Sequence, residues 1–451
     1  MNLHALMRAR ADRPVRVGLI GAGKFGAMFL SQVPHMAGIH VAAIADLRPD
    51  GARARLAAVG WPAGRGDAAD LDQALRDGGT WVTDSVDAML AEDRIEVVID
   101  ATGDPVAGVR HALACFERGK HLVMVNVEAD ALAGPMLAER ARAAGVIYSL
   151  AYGDQPALIC EQVDWARACG LTVTAAGKGT RYRPEFHQST PDTVWGYYGL
   201  TPERAAAGGM NPKMFNSFLD GTKSGIEMAA VANATGLTPS PAGLGFPACG
   251  VHDLARMMRP KADGGFLHHK GQVEVVSSDE WDGRAVVGDL RWGVYVAFEA
   301  PNDYAARCFG EYGLITDPSG RCSALWRPYH LIGLELGVSV ASIAARGEAT
   351  GAAQAWLGDV VATAKRDLAP GEVLDGEGGY TVWGKLYPAE RSLAVGGLPI
   401  GLADKARLLH PVKAGQPVRW ADVALDESEA AVRLRREMEL AYAPEAADAA
   451  E

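Results

Sequence analysis

Cysteine is scarce and dispersed. Six cysteines occur in 451 residues, at Cys115, Cys160, Cys169, Cys249, Cys308 and Cys322. None forms a C-x-x-C pair, and none has a histidine-rich neighbour. A disulfide framework and a zinc site are therefore not expected, and a reducing, cytoplasmic compartment is. Long apolar runs are also missing. No stretch reaches the roughly 18 residues that a membrane-crossing helix needs, so no membrane span is expected. Residues up to Arg13 hold arginines but no apolar segment of signal length, so no secretory leader is expected. Basic residues are in deficit: 44 Lys and Arg face 55 Asp and Glu, a net charge of −11. No basic cluster breaks that balance, which argues against a nucleic-acid partner.

Glycine and small apolar residues are abundant, and they carry the strongest signal. Val15 to Gly26 reads as a buried strand, a tight turn and the start of a helix, with Gly21, Gly23 and Gly26 in the spacing G-x-G-x-x-G. Gly21 suits the turn, Gly23 lets the backbone approach a pyrophosphate, and Gly26 lets the helix pack on the strand. Lys24 and Phe25 open the helix, whose free N–H groups suit phosphate. A second apolar run, Val41 to Ala45, ends in Asp46, about 20 residues beyond Gly26, where a ribose-binding carboxylate belongs. Asp46 favours NAD. Arg48, two residues on, suits the 2′-phosphate of NADP, and the residues alone leave both open.

Further strands at Ile95–Gly103, His121–Glu128 and Val146–Ala151 alternate with helices, which predicts an α/β fold with a doubly wound parallel Rossmann sheet over residues 1–155. Thr102, Gly103, Asn126 and Glu128 fall at strand ends, where a nicotinamide and a substrate would meet. The pattern then changes to a second α+β domain, 156–326. A strand at Leu171–Ala176 leads into a long polar stretch, Gly177 to Trp195, holding Lys178, His187 and Ser189. A loop of that length is more often functional than structural. Asn211 and Pro212 open a helix expected to run to about Thr235. On it Asn216, Asp220, Lys223 and Glu227 form one stripe at helical spacing. That stripe reads either as a proton-transfer array able to hold a cation through Asp220 and Glu227 or as a solvated face of ion pairs. Val273–Val276 and Val286–Ala300 read as antiparallel strands. Arg327 and His330 precede an apolar helix, Leu331–Ala345, expected to pack back on the first domain, with both side chains placed for a phosphate or carboxylate. After the linker Gly347–Ala353 a small all-β module is expected over 354–425, then a charged tail, 426–451.

The glycine motif, Ala101-Thr102-Gly103, Met124 to Asp130, Tyr152-Gly153-Asp154-Gln155-Pro156 and Gly177-Lys178-Gly179-Thr180 together resemble the homoserine-dehydrogenase-like oxidoreductases that carry a C-terminal SAF domain. The last module resembles SAF through Arg366 to Glu372 and Leu398-Pro399-Ile400-Gly401-Leu402. Within that group the layout is similar to the 1-deoxy-D-xylulose 5-phosphate reductoisomerase-like proteins. That resemblance implies isomerisation followed by hydride transfer in isoprenoid biosynthesis, with NADPH and a divalent cation, Mg²⁺ or Mn²⁺. It does not extend to homoserine as substrate. The L-x-G-x-D-x-x-x-K pattern is one residue short at Asp220 to Lys223, and Val127 follows Asn126 where homoserine dehydrogenases have a lysine.

These features imply an NAD(P)-dependent oxidoreductase for a small hydroxylated or phosphorylated substrate, with NADP favoured by Arg48 and the resemblance. A polyol, hydroxy-acid or homoserine-type dehydrogenase is the alternative within enzymes, and a dinucleotide-sensing or assembly protein the alternative outside them. Lys178, Lys223, Asp220, Glu227 and His187 are the catalytic candidates. Glu128, Ser189, Asn216, Arg327 and His330 are the substrate-binding candidates. The SAF-like module, lacking a clustered acid/base array, is expected to be structural and to serve a homo-oligomer.

Overall fold

The computed structural model describes Asn2–Ala443. Two compact units emerge. One comprises the residues up to Leu158 with His330–Ala353, the other Ile159–Tyr329 with the residues from Gln354 on.

In the first unit, β1 (Val15–Ile20), β2 (Ile39–Ala45), β3 (Trp81–Thr83), β4 (Val97–Asp100), β5 (His121–Met124) and β6 (Tyr148–Leu150) form one sheet in the order β3-β2-β1-β4-β5-β6. All pairings are parallel. Strands buried on both faces read as continuous apolar runs because helices cover both sides. Val17, Leu19, Ile44, Ile99 and Val123 form the core, joined by Val340 and Ile343 of the helix Gly337–Arg346. Strand order reverses at β1, so β1 and β4 diverge beyond their carboxyl ends and leave the crevice typical of dinucleotide folds.

Two local expectations are corrected here. The run 121–128 is not one strand. β5 stops at Met124, and Asn126 caps the helix Val127–Ala143 by accepting from the Ala129 N–H at 3.3 Å. The Asn cap and the acids Glu128 and Asp130 in the first turn favour helix there. The apolar helix expected at Leu331 begins only at Gly337, so neither Arg327 nor His330 stands at its N-terminus. Arg327 ends a strand of the other unit, its guanidinium 5.2 Å from the centre of the Tyr329 ring.

In the second unit, β7 (Thr172–Thr180), β8 (Gln272–Ser277), β9 (Val294–Glu299) and β10 (Cys322–Arg327) form a sheet in the order β10-β9-β7-β8. β8 pairs parallel with β7, and only β9 and β10 run antiparallel to their neighbours, which corrects the reading of β8 as antiparallel. β7 also extends past Ala176 through Lys178 to Thr180, so G-K-G-T is strand rather than loop. Its glycines allow close sheet neighbours. A Cβ on Gly177 would lie 1.8 Å from the Glu274 carbonyl oxygen, and one on Gly179 1.8 Å from that of Leu290.

The helix expected over 211–235 is two helices, Pro212–Leu219 and Thr222–Thr235. Gly221 separates them at φ +93, a left-handed conformation that favours glycine. Every residue of Thr222–Thr235 except Lys223 is buried. A helix buried all round is a core element rather than a surface one. It packs against β7 and β8, and also against β11 (Gly358–Ala364) and β12 (Val382–Pro388) of the C-terminal segment. That segment also holds the short pair β13 (Arg407–Leu408) and β14 (Val423–Ala424) and the helix Ala389–Val395, so it is not purely β. Of the tail, the helix Ala430–Ala441 lies within the described residues and those from 444 on lie outside them. That helix is fastened by Arg435, fully buried, which forks onto Asp359 of β11 at 2.9 and 2.6 Å.

Candidate active site

In the first unit the glycine turn has the shape the spacing predicts. Gly21 sits at φ +88. A Cβ on Gly26 would lie 2.4 Å from the Gly21 carbonyl oxygen, so helix and turn touch through backbone alone. Gly23 caps the helix Lys24–Gln32, and a Cβ there would meet nothing within 4 Å. Space, free helix N–H groups and a positive dipole end therefore coincide at Gly23 and Lys24, which fits a dinucleotide pyrophosphate. Asp46 braces this turn: one carboxylate oxygen accepts from the Ala22 N–H at 2.8 Å, the other from the Arg48 N–H at 2.9 Å. The Arg48 side chain is exposed.

At the end of β4, Thr102 donates to the buried Asp100 through its N–H (3.0 Å) and hydroxyl (2.6 Å). His111 Nδ1 lies 2.7 Å from the other Asp100 oxygen. Asn126 donates to the Thr102 hydroxyl at 3.1 Å and to the Asp104 carbonyl at 2.8 Å. Thr102 and Asn126 thus belong to one network. Gly103 beside them is exposed, with nothing within 4 Å of a would-be Cβ. Glu128 is half-buried in the first helical turn.

In the second unit the catalytic candidates lie in a buried polar cluster, not on a solvated face. The Lys178 ammonium on β7 donates to the Glu227 carboxylate on helix Thr222–Thr235, both nearly excluded from water. The Asp220 carboxylate, at the break before that helix, accepts from Lys365 Nζ at 2.7 Å, with side-chain exposures of 0% and 2%. Lys365 also donates at 2.7 Å to the carbonyls of Ser189 and Gly379, which satisfies all three of its N–H groups. Burial pushes the Asp220 carboxyl up, and the Lys365 ammonium pulls against it. Lys223, between the two acids in sequence, is half-buried.

His187 is held as a neutral ring. Its Nδ1 donates to the Asp220 carbonyl at 2.7 Å, so Nε2 is the acceptor, 3.2 Å from the Tyr182 hydroxyl. The ring stacks on Trp383 of β12 with centroids 3.9 Å apart. Burial lowers its pKa to about 4, aided by the ammoniums of Lys385 and Lys365 and opposed by the Asp220 carbonyl. A cavity of about 160 Å³ opens beside it, walled by His187, Phe246, Trp383, Lys385 and aliphatic side chains. Phe246 stacks on Tyr182 at 4.1 Å and holds φ at +49. The buried Glu274 carboxyl, pushed up to about 7 by burial, accepts from the N–H groups of Gly245 and Phe246 and so clamps that turn. Ser189 donates to Asn216, which donates back to the Ser189 and Gly378 carbonyls, so these two candidates brace the loop and each other.

One expectation is corrected by this geometry. Asp220 and Glu227 do not form a cation site: each carboxylate is paired with a lysine ammonium. Among the described residues no group of three or more His, Cys, Asp or Glu is placed to hold a metal. The donor set does not fit Mg²⁺ or Mn²⁺. The C-terminal segment supplies Lys365 and Trp383 to the cluster. These two, with Tyr182, Phe246 and Glu274, are the residues that sequence reasoning missed. Tyr182 lay inside the polar stretch Gly177 to Trp195, and Phe246 follows the glycines of Gly243-Leu244-Gly245.

A parallel sheet with this turn defines a dinucleotide-binding fold. Residues 21–151 match the NAD-binding domain family of homoserine dehydrogenase, and residues 153–336 match the catalytic domain family of oxidoreductase DRL. Both matches are to domains of oxidoreductases. Residues from 337 on lie outside both matches. A comparison with curated proteins found no match. Among solved structures, the chain is similar to GenD2 from gentamicin A biosynthesis in complex with NAD, at 19% identity and a TM-score of 0.26, over 39% of this chain and 46% of that one. It therefore spans less than half of that protein's length. It is also similar to a homoserine dehydrogenase from Thiobacillus denitrificans (18% identity, TM-score 0.34, 50% of each chain). A third is a probable dehydrogenase from Thermotoga maritima (13%, TM-score 0.38, 74% of this chain and 90% of that one). No helix among the described residues is long and apolar enough to cross a membrane.

Proposed function

We propose that the chain is an NAD(P)-dependent oxidoreductase acting on a small hydroxylated or phosphorylated substrate, with Lys178 and Glu227 as its chemical centre. The observation that carries the reading is their buried ion pair within the region matching an oxidoreductase catalytic domain. NAD(P)H, when bound, supplies the hydride. A carbonyl oxygen that gains charge in that step needs a donor held in place beforehand. Lys178 Nζ gives that donor and can pass its proton to the oxygen, and Glu227 orients the ammonium. No step here needs a divalent cation. His187, neutral and engaged at both nitrogens, shapes the site rather than moving protons. Arg327 serves the distal anionic group of the substrate, and Lys223 remains a second donor.

The finer reading is a reaction similar to that of the 1-deoxy-D-xylulose 5-phosphate reductoisomerase-like enzymes, isomerisation and then hydride transfer, with NADP preferred through Arg48. It rests on the G-K-G-T and Y-G-D-Q-P runs. We further propose a SAF-like identity for the C-terminal module and a homo-oligomer, which analytical ultracentrifugation tests. The deciding experiment is a panel containing 1-deoxy-D-xylulose 5-phosphate, polyols, hydroxy acids and homoserine, followed through reduced-nicotinamide absorbance with either cofactor. Turnover of the phosphorylated ketose supports the finer reading. Turnover of an unphosphorylated alcohol alone replaces it with a simple dehydrogenase.

A further inference from the structure

We propose that Lys365, supplied by the C-terminal segment, is a positioning residue of the site: it fixes Asp220 and Ser189 and so holds His187 in its Nδ1–H form with Nε2 turned to Tyr182. The inference rests on His187 belonging to the site as read above.

Three contacts carry it. Lys365 Nζ reaches the Asp220 carboxylate, the Ser189 carbonyl and the Gly379 carbonyl, each at 2.7 Å. His187 lies two residues before Ser189, and its ring donates to the carbonyl of Asp220 itself. One ammonium thus anchors the backbone beside His187 and the residue that accepts from its ring. The second acid oxygen is occupied as well, accepting from the Thr222 N–H at 2.9 Å at the start of the central helix. The hydrogen bond at one ring nitrogen decides what the other offers. Here the Asp220 carbonyl can only accept, so Nδ1 must keep the proton and Nε2 must stay a lone pair. The groups facing the ring are the Tyr182 hydroxyl, the Asp220 carbonyl and the ammoniums of Lys365 and Lys385, with Trp383 stacked beneath. Both ammoniums oppose protonation, so the same residue that sets the tautomer helps to keep the ring neutral. A sequence module outside both family matches would then set the ionisation of the site.

Removing Lys365 alone leaves Asp220 as an unpaired buried acid, which threatens the fold. The full-length chain is therefore compared as wild type, Lys365→Met and the uncharged double variant Asp220→Asn with Lys365→Met. Nitrogen-15 histidine spectra need no substrate, and His187→Gln identifies the His187 signals among the 11 histidines. The wild type should show one protonated and one bare ring nitrogen, unchanged down to about pH 5. In the folded double variant the two nitrogens should average and the ring should titrate at least one pH unit higher, because methionine cannot reach Ser189 or Gly379. Any turnover found with the substrate panel should fall at least tenfold in kcat, with cofactor affinity unchanged. A folded double variant with the wild-type His187 pattern overturns the proposal, as does a wild type lacking the Nδ1–H form. Failure of the double variant to fold also counts against it, since Lys365 would then serve the fold as a whole. A missing turnover, with the spectra as expected, would fault the proposed substrate and leave Lys365's role standing.

Discussion

The turn at Gly21–Gly26 and the cluster around Lys178 keep their shapes by different means. The turn is held by absent side chains and one exposed-edge carboxylate: a Cβ at Gly26 has no room, one at Gly23 has open space, and Asp46 ties the loop through backbone N–H groups. The cluster is held by buried charge, in the pairs Lys178–Glu227, Lys365–Asp220 and, farther along the same segment, Arg435–Asp359. Steric control is indifferent to pH, whereas buried ionisable groups are not. A site for a cofactor's phosphates can be shaped largely by backbone sterics, while a site for proton transfer must carry groups whose charge can change.

The largest stability effect should come from the charge-held region. Arg435→Met leaves Asp359 buried without its partner and should cost about 3–5 kcal/mol in urea unfolding. Adding Asp359→Asn should recover much of that. If the single variant loses under 1 kcal/mol, buried charge does not hold this segment. Glu274→Gln sharpens the contrast through pH. The native carboxyl sits near 7 against an ordinary 4.5, raised by burial. The folded state therefore binds a proton that the unfolded state has released, and stability falls as pH rises from the unfolded value to the folded one. The swing is about 3 kcal/mol. The glutamine variant should lack that slope, and an identical slope would place the titration elsewhere.

Smaller effects are expected at the turn. Gly26→Ala forces backbone to move and should cost about 1–3 kcal/mol. Gly23→Ala should leave stability within about 0.5 kcal/mol, yet weaken NAD(P)H binding tenfold or more by blocking the open approach. Unchanged cofactor affinity in that variant would remove the pyrophosphate from Gly23. Arg48→Ala is the mildest change. It should weaken NADPH about tenfold, or roughly 1.4 kcal/mol, and leave NADH unaltered. Equal losses for both cofactors would show that Arg48 does not discriminate between them.

What the sequence revealed follows the same division. The turn, β1, β2 and Asp46 lie within one short stretch, and their signal is local, so the first unit's fold could be read. β3 escaped because three residues cannot display a period. In the second unit Lys178, Asp220, Glu227 and His187 could be picked out, but the pairing of Lys178 with Glu227 and the Lys365 partner of Asp220 could not. Asp220 and Lys365 are separated by 145 positions, and no periodicity links them. The stripe 216–227 also misled, because helical spacing cannot tell a solvated face from one packed against a second sheet. Nor does helical spacing reveal the break at Gly221, which ends one helix and starts another.

The central claim is that Lys178, oriented by Glu227, donates to the substrate oxygen. Steady-state kinetics of Lys178→Met, on whichever panel compound turns over, tests it most directly, with circular dichroism to establish folding and fluorescence titration for the cofactor. The account predicts a fall in kcat on the order of 10²-fold or more, with NAD(P)H affinity within about twofold of wild type because the turn is untouched. A folded Lys178→Met protein within threefold of wild-type kcat would contradict it and shift the chemistry to Lys223.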